Sequence, residues 1–486
     1  ISFGGSGFEA RKRNAEDIAR ATANFLFGLA TAVHFRYLGG VGEGMENQKI
    51  AIELDEELNR LFARFQDGDL QKDLARPPRP VSDNSQYFFV ILIDAARADH
   101  LGCYGYRRDT SPTIDRLAAE GIIFENAFSQ CSTTDTSVAS LMTALYPRTH
   151  KMVGRSDWLW EHILVDNFRN AGFTTAAFSA NPLISPDSHF DNGFDHFEEL
   201  PWIRATITMN QAVRWLERAR IENDKIFSFI HLIDPHDLYF APYPFFNQFD
   251  PEYPLTITAY SLSNMIENEF KKIAANNPDK CGFNPGLEKW TDPSATLDCI
   301  STIDPRDKGI TMRDVQNMIA RYDGEIRYSD AEISRFIHYL EQHDMLRKST
   351  IVILSDHGES FMEHNRTKHG RVLYDNEIHV PLIFWRGENN WGGKRVSHPV
   401  EIIDTLPTLL AMAGADVPKG IHGRNLFSDA AAAQSEIFSL SWNGNDIPTK
   451  RRLTKSAERE PNYKYTPPHN HTNGEPEVHD FYHHST

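Results

Sequence analysis

The chain has 486 residues, of which 40% are hydrophobic and 24% charged, a composition that suits one large globular core with a smaller domain or extensions. Its formal net charge of −17 argues against a nucleic-acid-binding protein, because phosphate-backbone binding requires clustered positive charge. Four cysteines without a C-x-x-C pair exclude a disulfide scaffold.

The first region, residues 1–80, is predicted to be a helical extension followed by a linker. Apolar residues recur at three- and four-residue spacing in Phe8–Tyr37 and Glu46–Phe65, which is typical of amphipathic helices. The proline-rich run Arg76–Pro80 cannot continue a helix. We expect the helices to pack on the main domain or on a partner subunit, so that a homo-oligomer could form through them.

The N-terminal helices do not include a predicted membrane span. The longest apolar run there, Ala21–Val33, is shorter than the ~20 residues that a bilayer span needs. Because the sequence starts at Ile1, a signal peptide or anchor could have been removed before it. The compartment therefore stays open, with a periplasmic or secreted location favoured over a cytoplasmic one.

Residues 86–430 show an α/β rhythm of short apolar runs that alternate with helical patterns. The predicted strands are Phe88–Ile93, Thr174–Phe178, Ile226–Leu232, Ile351–Leu354 and Pro381–Trp385. The predicted helices are Ser111–Glu120, Met209–Ile221, Met312–His343 and Ile402–Ala413. This alternation predicts a mainly parallel sheet that is covered by helices on both faces, with its active site at the carboxyl ends of the strands.

Two other regions differ from this rhythm. Residues 241–311 are interpreted as an insertion that covers the site and selects the substrate, and Cys281 and Cys299 within it could form a disulfide. Residues 436–486 are polar with short strand-like pieces, which favours a small C-terminal α+β subdomain.

Acidic residues and a histidine follow two of the predicted strands directly. Asp94 ends the first strand, and Asp356-His357 ends the strand that begins at Ile351. A lone Asp after a strand usually caps a helix or a turn. Two carboxylates and an imidazole at the ends of two buried strands instead favour a shared divalent cation.

Six blocks of this sequence follow one another in a recognisable order. They are Ile93–Tyr106, Ser111–Ala118, Ser137–Thr143, Asp234–Asp237, Tyr322–Ile326 and Ser355–Glu359. Together they resemble the sulfatase family of the alkaline-phosphatase superfamily, and such a set of blocks is far more specific than any one motif. The resemblance covers about residues 86–430 and implies an alkaline-phosphatase-like α/β fold.

The sequence departs from the family at the nucleophile. Sulfatases convert a Cys or Ser in a C/S-x-P-S-R motif to formylglycine, whereas the aligned stretch here is Thr134-Asp135-Thr136-Ser137-Val138. Threonine cannot become formylglycine, and both the Pro and the Arg are missing. Threonine at this position resembles the phosphodiesterase and phosphoryl-transferase branches, so we expect no formylglycine.

The resemblance implies a metal-dependent reaction at this threonine. Asp94, Thr134, Asp356 and His357 are the expected metal ligands, a set that suits manganese, zinc, calcium or magnesium. The ion would lower the pKa of the Thr134 hydroxyl, which attacks a small anionic ester. A phosphothreonine would then pass to water or to an acceptor alcohol.

Two histidines and a lysine are expected beside the substrate. By resemblance, His236 faces the substrate or the leaving group, and His369 lies close to a lysine that contacts the substrate anion in relatives. An alignment slip by one residue would place Lys368 there instead. Imidazole can protonate a departing alkoxide near neutral pH. Asp234, His236 and His369 could also build a second metal site.

Arg97 and Asn181 are further candidates for substrate binding, with a structural role as the alternative for each.

Three functions remain open on the sequence alone. The leading hypothesis is a hydrolase or transferase that acts on a phosphodiester or phosphonate monoester through Thr134. The second is a sulfatase without formylglycine. The third is a catalytically silent binding protein, against which the joint presence of Asp94, Thr134, Asp356 and His357 argues.

Overall fold

The computed structural model describes the main body of the chain. It covers residues 81–253 and 312–428 apart from 154–156, 238, 240, 364–366, 371 and 389–390, with short strands at 283–284, 289–290, 436–440, 448–453, 463–466 and 479–480. The predicted helical extension, most of the predicted insertion and the Cys281–Cys299 pair lie outside the described residues.

Nineteen strands are described, which we number in chain order. They are β1 Gln86–Ile93, β2 Ile122–Phe124, β3 Ala127–Phe128, β4 Thr174–Ser179, β5 His196–Glu199, β6 Lys225–Leu232, β7 Phe283–Asn284, β8 Lys289–Trp290, β9 Ser349–Leu354, β10 Ser360–Phe361, β11 Thr367–Lys368, β12 His379–Val380, β13 Leu382–Arg386, β14 Lys394–Val396, β15 Val400–Glu401, β16 Glu436–Leu440, β17 Pro448–Leu453, β18 Tyr463–Thr466 and β19 His479–Asp480.

The α-helices of the described ranges are numbered in the same way. They are α1 Pro112–Glu120, α2 Thr134–Thr143, α3 Pro147–His150, α4 Val165–Asn170, α5 Ala205–Glu222, α6 Met312–Gln342, α7 Asp375–Ile378 and α8 Thr405–Ala413. Short 3-10 helices cover Ala98–His100, Gly102–Tyr104, Pro186–Ser188, Phe245–Asn247, Leu346–Lys348 and Ile402–Asp404.

An eight-stranded sheet in the order β14-β2-β13-β9-β1-β6-β4-β5 forms the centre of the fold. β1 pairs in parallel with β6 and with β9, so three apolar runs that are distant in sequence become neighbours. β13 is antiparallel to β9 and to β2. The predicted α/β class with a mainly parallel sheet is confirmed, with β13 running against its neighbours.

Helices cover both faces of this sheet because β1 is apolar on both sides. On one face, Phe168 of α4 stacks on Phe227 at a ring distance of 4.3 Å and lies 5.9 Å from Phe88. On the other face, the Phe89 ring meets Phe336 of α6 edge-on at 5.1 Å. All five side chains are buried, so each strand contributes apolar surface in both directions.

The smaller sheets are antiparallel or mixed. β12, β3 and β15 form one, and β16 to β19 form a four-stranded antiparallel sheet in the predicted C-terminal region.

In the part of the chain that the structure describes, no helix combines the length and the apolar character that a membrane crossing requires.

The central sheet sets the position of the site. β1, β9, β6 and β4 run in the same direction, so their carboxyl ends meet at one edge. Asp94, Ser355, Ile233 and Ala180 are the residues that follow these strands. The polar groups described next lie at or just beyond that edge.

Candidate active site

A backbone turn joins the end of β1 to the end of β9. Ala95 has a φ of 57°, in the left-handed region that few residues other than glycine adopt. This turn directs the Ala95 amide to Asp356 Oδ1 at 3.1 Å and the Ala96 amide to Ser355 Oγ at 2.9 Å. The Asp94 and Asp356 carboxylates are thereby held side by side, and both are buried.

The Asp94 carboxylate is bonded on one oxygen only. Its Oδ2 accepts hydrogen bonds from Asn181 Nδ2 at 2.6 Å and from His231 Nε2 at 3.1 Å. Its Oδ1 has no hydrogen-bond donor among the described residues. Burial alone raises the pKa of Asp94, but His236, His231 and His357 outweigh it and hold that pKa well below its usual range.

Asp356 has the same asymmetry. Its Oδ1 accepts the amides of Ala95 and His357, at 3.1 and 2.9 Å, while its Oδ2 lacks any donor within the described ranges. The His357 imidazole lies beside this oxygen, with Nε2 at 3.5 Å from Asp356 Oδ2 and 3.8 Å from Asp94 Oδ1. His357 Nδ1 lies 2.9 Å from the Gly358 carbonyl oxygen, so Nδ1 carries the proton and Nε2 presents a lone pair.

Two buried acceptor atoms, Asp94 Oδ1 and Asp356 Oδ2, therefore lack a donor among the described residues, and His357 Nε2 lies beside both of them. Buried carboxylate oxygens without a partner are costly unless a cation satisfies them. Two carboxylates and one imidazole form a donor set that suits a divalent transition metal. These residues fit a metal ion.

His231 is a site residue that the sequence analysis missed. Asp94, His231 and Asp356 each offer a ligand atom within 4.8 Å of the others. However, His231 Nε2 lies 3.1 Å from Asp94 Oδ2, where its N–H donates, and a nitrogen that donates a hydrogen bond cannot also bind a metal. We therefore interpret His231 as the group that orients Asp94. A histidine inside the apolar run of β6 was the available signal in the sequence.

Thr134 is the first residue of α2, and its hydroxyl points into this cluster. Thr134 Oγ1 lies 3.2 Å from His357 Nε2 and 3.4 Å from Asn181 Nδ2. Ser137, one turn later, donates to the Asp356 carbonyl at 2.6 Å and fixes the helix against β9. The amino end of a ten-residue helix carries partial positive charge, which favours an anion beside Thr134.

His236 and His369 lie together at the outer side of the cluster. The His369 ring is 4.2 Å from the His357 ring and 4.9 Å from the His236 ring, measured between centroids. Burial lowers the pKa of both histidines, but nearby carboxylates outweigh it. Asp94 and Asp237 raise the pKa of His236, and Glu359 raises that of His369. Both imidazoles thus favour the protonated form more than a free histidine does.

Lys368 belongs to the same outer group. Its Nζ lies 3.4 Å from Asp237 Oδ2, and the Asp237 carbonyl accepts a hydrogen bond from His236 Nδ1 at 2.9 Å. The pKa of Asp237 is lowered despite its burial, because His236 and Lys368 lie beside it. Both Lys368 and His369 are therefore near the site.

Arg97 contacts carboxylates on the far side of the turn. Its guanidinium binds Asp99 through two hydrogen bonds of 2.8 and 2.7 Å, Glu363 at 2.6 Å and the Glu359 carbonyl at 3.1 Å. These contacts favour the structural role for Arg97, whereas the contacts of Asn181 with Asp94 and Thr134 favour a role in the site.

The geometry does not support a second metal site that includes Asp234. Asp234 Oδ2 accepts the Ala205 amide at 2.8 Å at the start of α5, and burial raises the pKa of this carboxyl. His236 and His369 instead pair with Asp237 and Glu359. One acceptor cluster, at Asp94 and Asp356, thus accounts for the metal-binding potential of the described site residues.

Comparisons with known proteins agree with this arrangement. The profile of the family described as "Sulfatase" matches residues 86–415. The arylsulfatase of Clostridium perfringens is 24% identical over 381 residues, which cover 69% of this chain and 76% of that protein.

Solved structures show the same fold at low sequence identity. The phosphonate monoester hydrolase of Agrobacterium radiobacter has a TM-score of 0.58 at 16% identity, over 81% of this chain and 89% of that chain. The protein BT4656, solved in complex with its substrate D-glucosamine-2-N,6-O-disulfate, also has a TM-score of 0.58. Its identity is 19%, over 82% of this chain and 91% of that chain.

Proposed function

The chain belongs to the sulfatase family of hydrolases, and we propose that it cleaves phosphodiesters or phosphonate monoesters through a covalent intermediate on Thr134. Transfer to water gives a hydrolase, and transfer to an acceptor alcohol gives a transferase. One similar solved protein is a phosphonate monoester hydrolase, and another is bound to a sulfated sugar substrate. Proteins of this fold therefore include enzymes for phosphorus esters and for sulfate esters.

The position of the Thr134 hydroxyl carries the proposal. Its Oγ1 lies 3.2 Å from His357 Nε2, beside the two carboxylate oxygens that lack donors. A threonine hydroxyl that faces a cation site at a helix amino end is suited to attack an anionic ester. The same set argues against a silent binding protein, since such a protein has no use for unpartnered buried carboxylates.

The metal ion would be held by Asp94, Asp356, His357 and Thr134. His231 and Asn181 would orient Asp94. When bound, a divalent ion supplies Lewis acidity that lowers the pKa of the threonine hydroxyl and neutralises charge on the transferring oxygens. The donor set, two carboxylates and an imidazole, suits manganese or zinc better than it suits calcium. Calcium prefers sites in which every ligand is oxygen.

Thr134 forms a bond to phosphorus in the first of two displacements, and that bond breaks in the second. In the first, its Oγ forms a bond to phosphorus as the bond from phosphorus to the leaving oxygen breaks, and the hydroxyl proton passes to solvent. In the second, water or an alcohol attacks phosphorus and gives up a proton, while Thr134 Oγ leaves and takes back a proton. Asn181 Nδ2, 3.4 Å from Thr134 Oγ1, orients the nucleophile.

His236 and His369 supply the proton that the leaving oxygen needs. Neighbouring carboxylates raise the pKa of both, so each holds a proton near neutral pH more firmly than a free histidine. Lys368 adds a positive charge on the same side, 3.4 Å from Asp237. The two sides of the ester thus meet a nucleophile and an acid.

The test compares phosphorus with sulfur on matched substrates. A threonine sulfate cannot be released in the way that a formylglycine hydrate releases sulfate, so attack at phosphorus should dominate. We expect kcat/KM for an aryl phosphodiester or phosphonate monoester to exceed that for the sulfate with the same aryl group by at least about tenfold, or ~1.4 kcal/mol. A preference for sulfate at the same pH and metal would overturn the proposal.

The second candidate is sulfate-ester hydrolysis by the same residues without formylglycine. The likeness to an arylsulfatase over 69% of the chain favours it. The assay above separates the two candidates.

A further inference from the structure

Three tryptophans are strongly exposed among the described residues: Trp158, Trp160 and Trp202, with 53%, 71% and 51% of their surface accessible. Tryptophan is enriched at binding surfaces because its ring combines a large apolar face with a polar N–H. Trp158 and Trp160 contact each other and His189. Trp202 instead contacts a histidine of the candidate active site.

A continuous line of ring contacts leads from Trp202 to the nucleophile. The Trp202 ring lies 5.7 Å from His236, which lies 4.9 Å from His369, which lies 4.2 Å from His357. His357 Nε2 is 3.2 Å from Thr134 Oγ1. The exposed indole is therefore linked to Thr134 through the two histidines that are proposed to face the leaving group.

The backbone holds Trp202 at this place at some cost. Its φ is 60°, in the left-handed region that a bulky side chain rarely adopts. The Trp202 amide donates to the Ala180 carbonyl at 2.8 Å, next to Asn181, which contacts both Thr134 and Asp94. The segment that carries the indole is therefore anchored to the segment that orients the nucleophile.

We propose that Trp202 is the stacking platform of a subsite for a flat, ring-bearing leaving group. This inference rests on the proposed ester cleavage at Thr134, and it names the class of ester: one whose leaving alcohol carries an aromatic ring. The T-shaped contact of His236 with Trp202 leaves the indole half exposed for a second ring. Stacked and edge-to-face rings gain free energy beyond burial alone, and the alcohol oxygen would lie beside the two histidines.

The experiment uses pairs of anions that differ only by the ring. Phenylphosphonate is compared with methylphosphonate, and benzenesulfonate with methanesulfonate, by calorimetric measurement of Kd on the purified, metal-bearing protein. In the pair that binds more tightly, we expect the ring-bearing anion to bind about tenfold more tightly than the methyl anion. Binding is measured without turnover, so the result does not depend on the reaction.

Trp202→Ala should abolish this preference to within twofold, with the Kd of the methyl anion almost unchanged. Trp202→Phe should restore part of the preference because it keeps a ring. Trp160→Ala is the control, since Trp160 is also exposed but contacts Trp158 and His189, and it should keep the full preference.

Several results would overturn the subsite. They are equal binding of ring and methyl anions by the unaltered protein, no detectable binding of either ring-bearing anion, or a ring preference that survives Trp202→Ala. An equal loss for both anions would also overturn it, since Trp202 would then act only through His236. A ring preference confined to the sulfonates supports the subsite while it counts against the proposed phosphoester function.

Discussion

The inner and outer parts of the site differ in the burial of their charged groups and in how those groups are paired. We call the inner part the floor: Asp94, Thr134, Asp356 and His357. We call the outer part the rim: Trp202, His236, Lys368 and His369. The side chains of Asp94, Asp356 and His357 are 0% exposed, whereas those of His236, His369 and Lys368 are 14%, 16% and 27% exposed.

The pairing of polar groups differs as much as their burial. On the floor, Asp94 Oδ1 and Asp356 Oδ2 have no donor among the described residues, and His357 Nε2 lies 3.8 and 3.5 Å from them. On the rim, basic side chains pair with carboxylates: His369 with Glu359, and Lys368 with Asp237. In the proposed reaction, the floor therefore binds a cation from outside the chain, whereas basic side chains of the rim face the leaving group.

The largest expected effect comes from removing charge on the floor. Asp356→Asn should lose both the metal and the activity, while Oδ1 still accepts the amides of Ala95 and His357 and keeps the fold. Metal analysis of the purified variant checks this. Asp330→Asn is the control, because Asp330 is a buried carboxyl that accepts the Thr113 and Ile114 amides instead. A full metal complement in Asp356→Asn would contradict the assignment.

The second prediction separates the nucleophile from the metal ligands. Thr134→Ala should lower kcat by at least about a thousandfold while metal content and folding stay near normal, because Asp94, Asp356 and His357 remain. Thr133→Ala is the control, since the Thr133 side chain makes no capping hydrogen bond to α2. Near-normal turnover by the Thr134 variant would show that another group attacks.

The third prediction addresses the rim. His369→Gln should scarcely change the rate for a p-nitrophenyl leaving group, which departs without a proton, yet slow a dialkyl phosphodiester by ~10²–10⁴-fold. Metal content should not change. The measurement is the slope of log(kcat/KM) against the pKa of the leaving alcohol. An equal loss for all leaving groups would mean that His369 positions the substrate or the metal and does not protonate.

The fourth and smallest effect concerns a histidine behind α2 that belongs to neither part. His150 Nε2 lies 2.9 Å from Ser140 Oγ, and burial lowers the pKa of His150 to about 3. Between that value and about 6.5 the unfolded chain binds the extra proton, so stability is lost as the pH falls. His150→Gln should flatten this dependence by up to about 1.4 kcal/mol per pH unit.

Urea unfolding at pH 7, 6 and 5 measures that slope. The exposed His162 supplies the control variant His162→Gln, which should keep the slope of the unaltered protein. Activity at neutral pH should be the same in both variants. An unchanged slope in His150→Gln would show that His150 is not held neutral by burial.

Much of the fold was predictable because the strands of the central sheet are continuous apolar runs. The pattern located β1, β4, β6, β9 and β13, and the rule that sites form at the carboxyl ends of parallel strands led to Asp94 and Asp356. Pattern alone does not set the direction of a single strand, so the antiparallel course of β13 emerged only from its pairing.

The site was predictable where a polar residue interrupts a pattern and unpredictable where tertiary contacts decide. His231 lies within an apolar strand, and only its 3.1 Å approach to Asp94 reveals its role. Arg97 lies in a family block, but its guanidinium forms salt bridges with Asp99 and Glu363. Trp202 belongs to no motif, and its contact with His236 depends on how two loops fold.

The stereochemical course at phosphorus tests the central claim most directly, because it does not require the intermediate to accumulate. An aryl phosphorothioate diester of one configuration, cleaved in ¹⁸O-labelled water, gives a product whose configuration reports the number of displacements. Two in-line displacements, the first by Thr134, predict net retention. Net inversion would mean a single attack by water and would contradict a covalent intermediate on Thr134.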